Sequence, residues 1–173
     1  VRVTSSSADL DAADAVVLPG VGAFAHCMDN LREAGLEKSV RAVAASGRPF
    51  LGICVGMQIL FEESDEFGRV EGLGILPGRV RRFEPADAAL KVPHMGWNRL
   101  EASQGDRHPL MEGLDRASVY FVHSYAAHPS PAAIATTTHG IPFSAMVARG
   151  SVMGAQFHPE RSSGAGARLL SNF

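Results

Sequence analysis

The pentapeptide Gly52-Ile53-Cys54-Val55-Gly56 is the stretch of this chain best suited to chemistry. It has the spacing of a nucleophile elbow, Gly-x-nucleophile-x-Gly, with cysteine at its centre. Such a turn holds the nucleophile in a strained backbone conformation between a strand and a helix. Glycines two residues before and after it remove the collisions that side chains would make there. The sulfur points outward and meets the positive end of the following helix, which favours the thiolate. The Val55 N–H is left to donate into an oxyanion hole. A free cysteine among glycines can equally be a small packed hydrophobe. Cys27 illustrates that alternative, because it lies at helical spacing among Phe24, Met28 and Leu31, where core packing accounts for it.

A cysteine nucleophile needs a base, commonly a histidine oriented by a third group. His26, His108 and His128 stand in helical or loop contexts, and His139 precedes Gly140 in a turn. His158 differs. It follows the apolar run 152–157, so it emerges at a strand end, and Pro159 and Glu160 come next. Proline suits a rigid exit from a strand. Glu160 can turn back to accept a hydrogen bond from the imidazole, setting its tautomer and raising its basicity. Cys54, His158 and Glu160 therefore read as a triad for attack on a carbonyl carbon.

The elements that must position these residues follow from periodicity. Residues 1–4 read as a short strand, and residues 15–19 form a continuous apolar run of the kind found in a parallel strand covered on both faces. Residues 23–34 and 36–46 carry helical spacing, closed by Gly35 and Gly47. Residues 50–54 are again strand-like, and 55–64 read as a helix. This alternation predicts an α/β fold: three layers, with a mixed, mostly parallel sheet between helices. The second half changes character. Residues 80–83, 90–93, 119–123, 133–138, 143–148 and 152–157 are short strand-like runs that suggest antiparallel additions, and 164–173 begins a closing helix.

The 173 residues suit one domain, 1–173, with 46% apolar and 20% charged residues. A net charge of −2 with signs interspersed offers no basic face for nucleic acid. No apolar run is long enough to span a bilayer, and residues 1–4 do not resemble a leader. Two cysteines in unlike contexts fit a reducing, cytoplasmic setting. No His/Cys cluster has metal-ligand spacing, and the triad chemistry requires neither metal nor cofactor.

Gly52-Ile53-Cys54-Val55-Gly56-Met57-Gln58 with Gln156-Phe157-His158-Pro159-Glu160 resembles the paired signature of the class I glutamine amidotransferases, whose triad is Cys, His and Glu. The resemblance runs over essentially the whole chain and implies their flavodoxin-like glutaminase fold. Pro19-Gly20-Val21-Gly22-Ala23-Phe24 is similar to the family's oxyanion segment. It implies that backbone amides at Val21 and Gly22 complete the hole with Val55, in a segment able to flip when a partner is engaged. The resemblance also implies that Gln58, Ser124 and Tyr125 hold the glutamine substrate. An exposed helix glutamine is the plain alternative for Gln58.

Pro93-His94-Met95-Gly96-Trp97-Asn98 and Tyr120-Phe121-Val122-His123-Ser124-Tyr125 resemble one branch, the glutaminase subunit of imidazole glycerol phosphate synthase in histidine biosynthesis. That branch pairs with a (β/α)₈ barrel cyclase as a heterodimer, which implies a partner surface at His94, Met95 and Trp97. A buried tryptophan is the alternative there. Arg161 stands where much of that family has lysine. Relative to the family, the chain lacks a first strand–helix unit of roughly 25–30 residues, which predicts an unpaired sheet edge and low stability. A glutaminase of another pathway, or a catalytically silent assembly subunit, are the competing readings.

Overall fold

The first half alternates between strand and helix. The computed structural model describes residues 1–85, 87, 89–103 and 108–173. A short helix α1 (Ser7–Ala12) leads to β1 (Val16–Gly20), then α2 (Phe24–Glu33), α3 (Glu37–Ala45), β2 (Phe50–Cys54) and the single turn α4 (Val55–Gln58). Next come β3 (Phe61–Ser64), β4 (Val70–Glu71), β5 (Leu76–Arg82), β6 (His94–Arg99) and β7 (Glu101–Ala102). The remainder is β8 (Ser118–His123), β9 (Tyr125–Ala127), β10 (Ala133–His139), β11 (Ile141–Arg149), β12 (Val152–Ala155) and α5 (Ser163–Asn172).

The main sheet has the order β1-β2-β12-β11-β10-β7. β1, β2 and β12 are parallel, and the strands beyond β12 are added antiparallel. A smaller sheet, β4-β3-β5-β9, and the antiparallel pair β6-β8 complete the strands. Alternation along β2 divides the core in two. Phe50 packs with Leu10, Phe24, Met28, Val40 and Val43 from α1 to α3. Leu51 packs with Phe121, Phe143, Phe157 and Leu169, the last on α5. The mixed sheet thus lies between helical layers, as predicted, but two of its five pairings are parallel and three antiparallel, so it is not mostly parallel. Full burial of each such side chain contributes roughly 1.5–3 kcal/mol.

Three further sequence readings need correction. Residues 1–4 join no sheet among the described residues; Val1 and Val3 are exposed, and Thr4 Oγ1 donates to Asp9 Oδ2 at 2.6 Å instead. Strand propensity gives little without a partner ladder. The helix predicted over 55–64 lasts one turn, then becomes β3. The carbonyls of Ile59 and Leu60, which a continuing helix would use internally, accept instead from Leu73, Ile75 and Leu76 N–H at 2.7–2.9 Å. A run such as Ile59-Leu60-Phe61 has no period that separates helix from buried strand, and the neighbouring chain decides. Finally, 90–93 is not a strand. Pairing begins at His94, beyond Pro93, which has no N–H for a ladder.

Candidate active site

Three parallel strands end side by side, and their register collects the predicted chemistry at one edge of the sheet. Gly20 pairs with Cys54, and Ala155 pairs with Ile53. The residues that continue these strands therefore meet: Val21 and Gly22 after β1, Cys54 at the end of β2, and Gln156 to His158 after β12. Open α/β sheets bind ligands beyond these carboxyl ends.

Cys54 has φ 54° and ψ −116°, a conformation that L residues rarely adopt. The flanking glycines serve close backbone approach. A Cβ on Gly52 would sit 2.6 Å from the Gly56 carbonyl oxygen, and one on Gly56 would overlap the Leu18 carbonyl of β1. A Cβ on Gly20 would overlap the Gly56 amide in turn. The elbow is thus pressed against β1 with no room for side chains between.

His158 leaves β12 with its N–H donating to the Tyr120 carbonyl at 3.0 Å. Its Nδ1 lies 2.9 Å from Glu160 Oε1. A carboxylate only accepts, so Nδ1 carries the proton and Nε2 keeps the lone pair a base needs. That Nε2 is buried and has no hydrogen-bond partner among the described residues. Ser162 Oγ donates to the His158 carbonyl at 2.7 Å and fixes the turn that presents Glu160.

A cavity of about 320 Å³ opens over the elbow. Cys54, His158, Val21, Gly22, Val55, Gln58, Ser124 and Tyr125 all line it; Glu160 stands behind His158. Gln58 is only 3% exposed, so it is not a surface glutamine. Its Nε2 donates to the Tyr125 carbonyl at 2.9 Å and to Gln156 Oε1 at 3.0 Å. Gln156 Nε2 in turn donates to Cys54 Sγ at 3.8 Å. The predicted partner surface divides. Met95 and Trp97 are 63% and 54% exposed, but His94 is 4% exposed and faces His123 inside, because successive residues of β6 point to opposite faces. Tyr120 lies edge-on to Trp97, and the Arg161 guanidinium covers the Tyr120 ring 4.9 Å from its centre.

The family model described as glutamine amidotransferase class-I matches residues 1–173. The chain belongs to the class I glutamine amidotransferases. Its curated relatives include the "Imidazole glycerol phosphate synthase subunit HisH" of Syntrophotalea carbinolica, 51% identical over 99% of this chain and 86% of that protein. The protein of the same name from Methylococcus capsulatus is 52% identical over 100% of this chain and 82% of its own length. A solved "glutamine amidotransferase" matches the fold with a TM-score of 0.71 at 22% identity, covering 98% of this chain and 84% of that one.

In this amidotransferase the predicted nucleophile, Cys54, is held as a thiol. Burial pushes the Cys54 pKa up to about 11, the Glu160 charge adds to that, and the Val55 backbone N–H opposes it. The helix expected to favour the thiolate is the one-turn α4, too short for the full effect of a longer helix. Cys27 is half-buried on α2, as packing predicts, and its thiol also donates to the Val21 carbonyl at 3.3 Å.

Three residues at or behind the pocket wall escaped the sequence reading of roles. Gln156 sits in the quoted signature, but its contact with Cys54 depends on the β2–β12 register. Glu66 lines the cavity and accepts the Phe24 N–H at 2.7 Å, tying the start of α2 to the turn after β3. No local signal marks it, because β3 itself was read as helix. His123 lines the cavity from the end of β8. No three His, Cys, Asp or Glu among the described residues are grouped to hold a metal ion, and no helix there is long and apolar enough to cross a membrane.

Proposed function

We propose that residues 1–173 form a single glutaminase domain that hydrolyses glutamine to glutamate and ammonia. The observation that carries this reading is the shared cavity, in which Cys54 and a Glu160-oriented His158 face the Val21–Gly22 and Val55 backbone. Glutamine enters with its side-chain amide over Cys54. Glu66 supplies a negative charge on the wall for the α-ammonium group. Gln58, Ser124 and Tyr125 hold the α-carbon end.

The Cys54 sulfur bonds to the amide carbon as its proton passes to His158. Val55 N–H and an N–H of the Val21–Gly22 segment hold the oxyanion, each worth about 3–4 kcal/mol in such holes. His158 then protonates the departing nitrogen, the C–N bond breaks, and ammonia leaves a γ-glutamyl thioester. Water, deprotonated by His158, attacks the thioester; the C–S bond breaks and the thiol is restored. Glu160 stays ionised and steadies the imidazolium. A thiol at about 11 and an Nε2 with no partner among the described residues describe a site at rest. Substrate and partner would bring sulfur and imidazole together and turn the Gly22 segment, whose φ of 88° only glycine adopts without strain.

The partner we propose is a (β/α)₈ barrel cyclase in a cytoplasmic heterodimer, docking on Met95 and Trp97 with Tyr120 and Arg161 beside them. Exposed aromatic and arginine side chains are the usual anchors of such contacts. The cyclase would combine the ammonia with a phosphoribulosyl-aminoimidazole carboxamide nucleotide, giving imidazole glycerol phosphate and an aminoimidazole carboxamide ribonucleotide. The support is the name shared by relatives about half identical over nearly the whole chain.

Ammonia release from glutamine, measured with and without the cyclase and its nucleotide, tests this with Cys54→Ala as control. Cys54-dependent turnover that rises sharply with the partner is expected. Turnover indifferent to the partner would move the glutaminase to another pathway, and none under any condition would leave a silent assembly subunit.

A further inference from the structure

A band of imidazole rings runs from the pocket wall at His123 into the interior, and the reaction proposed above makes no use of it. His94 on β6 pairs with His123 on β8. His123 Nδ1 lies 2.9 Å from the Tyr125 carbonyl, which can only accept, so Nδ1 carries the proton and Nε2 a lone pair. His94 Nδ1, 3.2 Å from that Nε2, must then be the donor to it. His139 donates through Nε2 to the Lys91 carbonyl at 2.8 Å and stacks on His94 with ring centres 4.2 Å apart. Phe83, Phe121 and Phe143 enclose the rings. Burial lowers the His94 pKa to about 4 and that of His123 to about 3, so both rings stay neutral near pH 7 and keep these tautomers.

The Tyr125 carbonyl has a second donor. Gln58 Nε2 reaches it at 2.9 Å, and both lone pairs of the oxygen are then occupied. From Gln58 the bonding continues to Gln156 Oε1 and from Gln156 Nε2 to Cys54 Sγ. We propose that His123, held by His94, is a positioning residue for the nucleophile: it clamps the Tyr125 carbonyl that anchors Gln58 and, through Gln156, the Cys54 sulfur. For turnover the inference rests on the glutaminase reading; for the state of Cys54 it rests on the hydrogen bonds alone.

Packing by itself would be satisfied by any ring of similar size, which separates the two roles. His123→Phe keeps a ring and removes both hydrogen bonds. His123→Asn gives up the ring but keeps a donor where Nδ1–H stood. In the full-length protein we expect His123→Phe to lower kcat for glutamine about tenfold with KM little changed, and to slow Cys54 alkylation by iodoacetamide about tenfold. His123→Asn should recover both to within about threefold, although it unfolds at a lower temperature than His123→Phe. His94→Phe should act in the same direction and add nothing on top of His123→Phe. Rates that follow thermal stability instead of the retained donor, or a His123→Phe protein with wild-type kcat and alkylation, would overturn the proposal. Alkylation is read without glutamine, so a wild-type protein inert toward glutamine would sink the glutaminase reading while the alkylation rates still decide this one.

Discussion

Two walls of one pocket are built by opposite means. Where β1, β2 and β12 end, backbone meets backbone: Gly20, Gly52 and Gly56 leave no room for a Cβ. Across the cavity, at the end of β8 and the start of β9, side chains do the holding, through His94, His123, Gln58 and the Tyr125 carbonyl. At Gly20, Gly52 and Gly56 the first wall is intolerant of any added atom, and the donors it offers are backbone N–H groups that no side chain sets. The second depends on which atom carries a proton. The difference teaches where substitutions will break the fold and where they will only detune the site.

The strongest break falls on the glycine wall. Gly56→Ala drives a Cβ into the Leu18 carbonyl, and neither backbone can retreat without parting the elbow from β1. A loss of more than about 3 kcal/mol is expected in urea unfolding, enough to remove most folded protein. A change under 1 kcal/mol would show that the two strand ends are not pressed together.

Glu160→Gln sharpens the chemistry between the walls. It keeps the shape but removes the charge that steadies the imidazolium, so kcat should fall about 100-fold with KM for glutamine nearly unchanged. Next in size is the outer face of the β6–β8 pair. Trp97→Ala should leave basal glutamine hydrolysis as it is and weaken cyclase binding about thirtyfold, as loss of an aromatic anchor does. Calorimetric titration with the cyclase measures this, and unaltered affinity would place the partner elsewhere.

The smallest effect concerns the resting thiol. Below its pKa a cysteine is protonated, so raising that pKa to about 11 lowers the thiolate fraction at pH 8. Iodoacetamide should then modify Cys54 about tenfold more slowly than an exposed cysteine at pH 8, net of the greater nucleophilicity of a more basic thiolate. The rate should still be climbing at pH 10. A plateau near pH 8 would mean the unliganded site already holds a thiolate.

How much was legible in the residues follows the same division. The elbow, the His158–Glu160 pair and the strands leading to them are local in sequence, and each was found at or near its predicted place. Strand β3 was missed because Ile59-Leu60-Phe61 has no period of its own, and with it went Glu66, whose place on the wall depends on the turn that follows. His94 was grouped with Met95 and Trp97 because loop-like residues hid a strand. Once β6 pairs with β8, neighbours must face opposite ways, and His94 turns inward.

By itself, the sequence determined the candidate reactive residues and their immediate backbone. An elbow and a histidine two residues from its carboxylate are short-range patterns set by sterics and hydrogen bonding along a few bonds. Only the tertiary structure decided which of these stand together and in what state. The register of β12 on β2 brought Gln156 to the sulfur, pairing of β6 with β8 fixed two imidazole tautomers, and burial raised the thiol that the local motif alone would have left ready to ionise. Those are properties of packed neighbours far apart in the chain, and no local pattern encodes them.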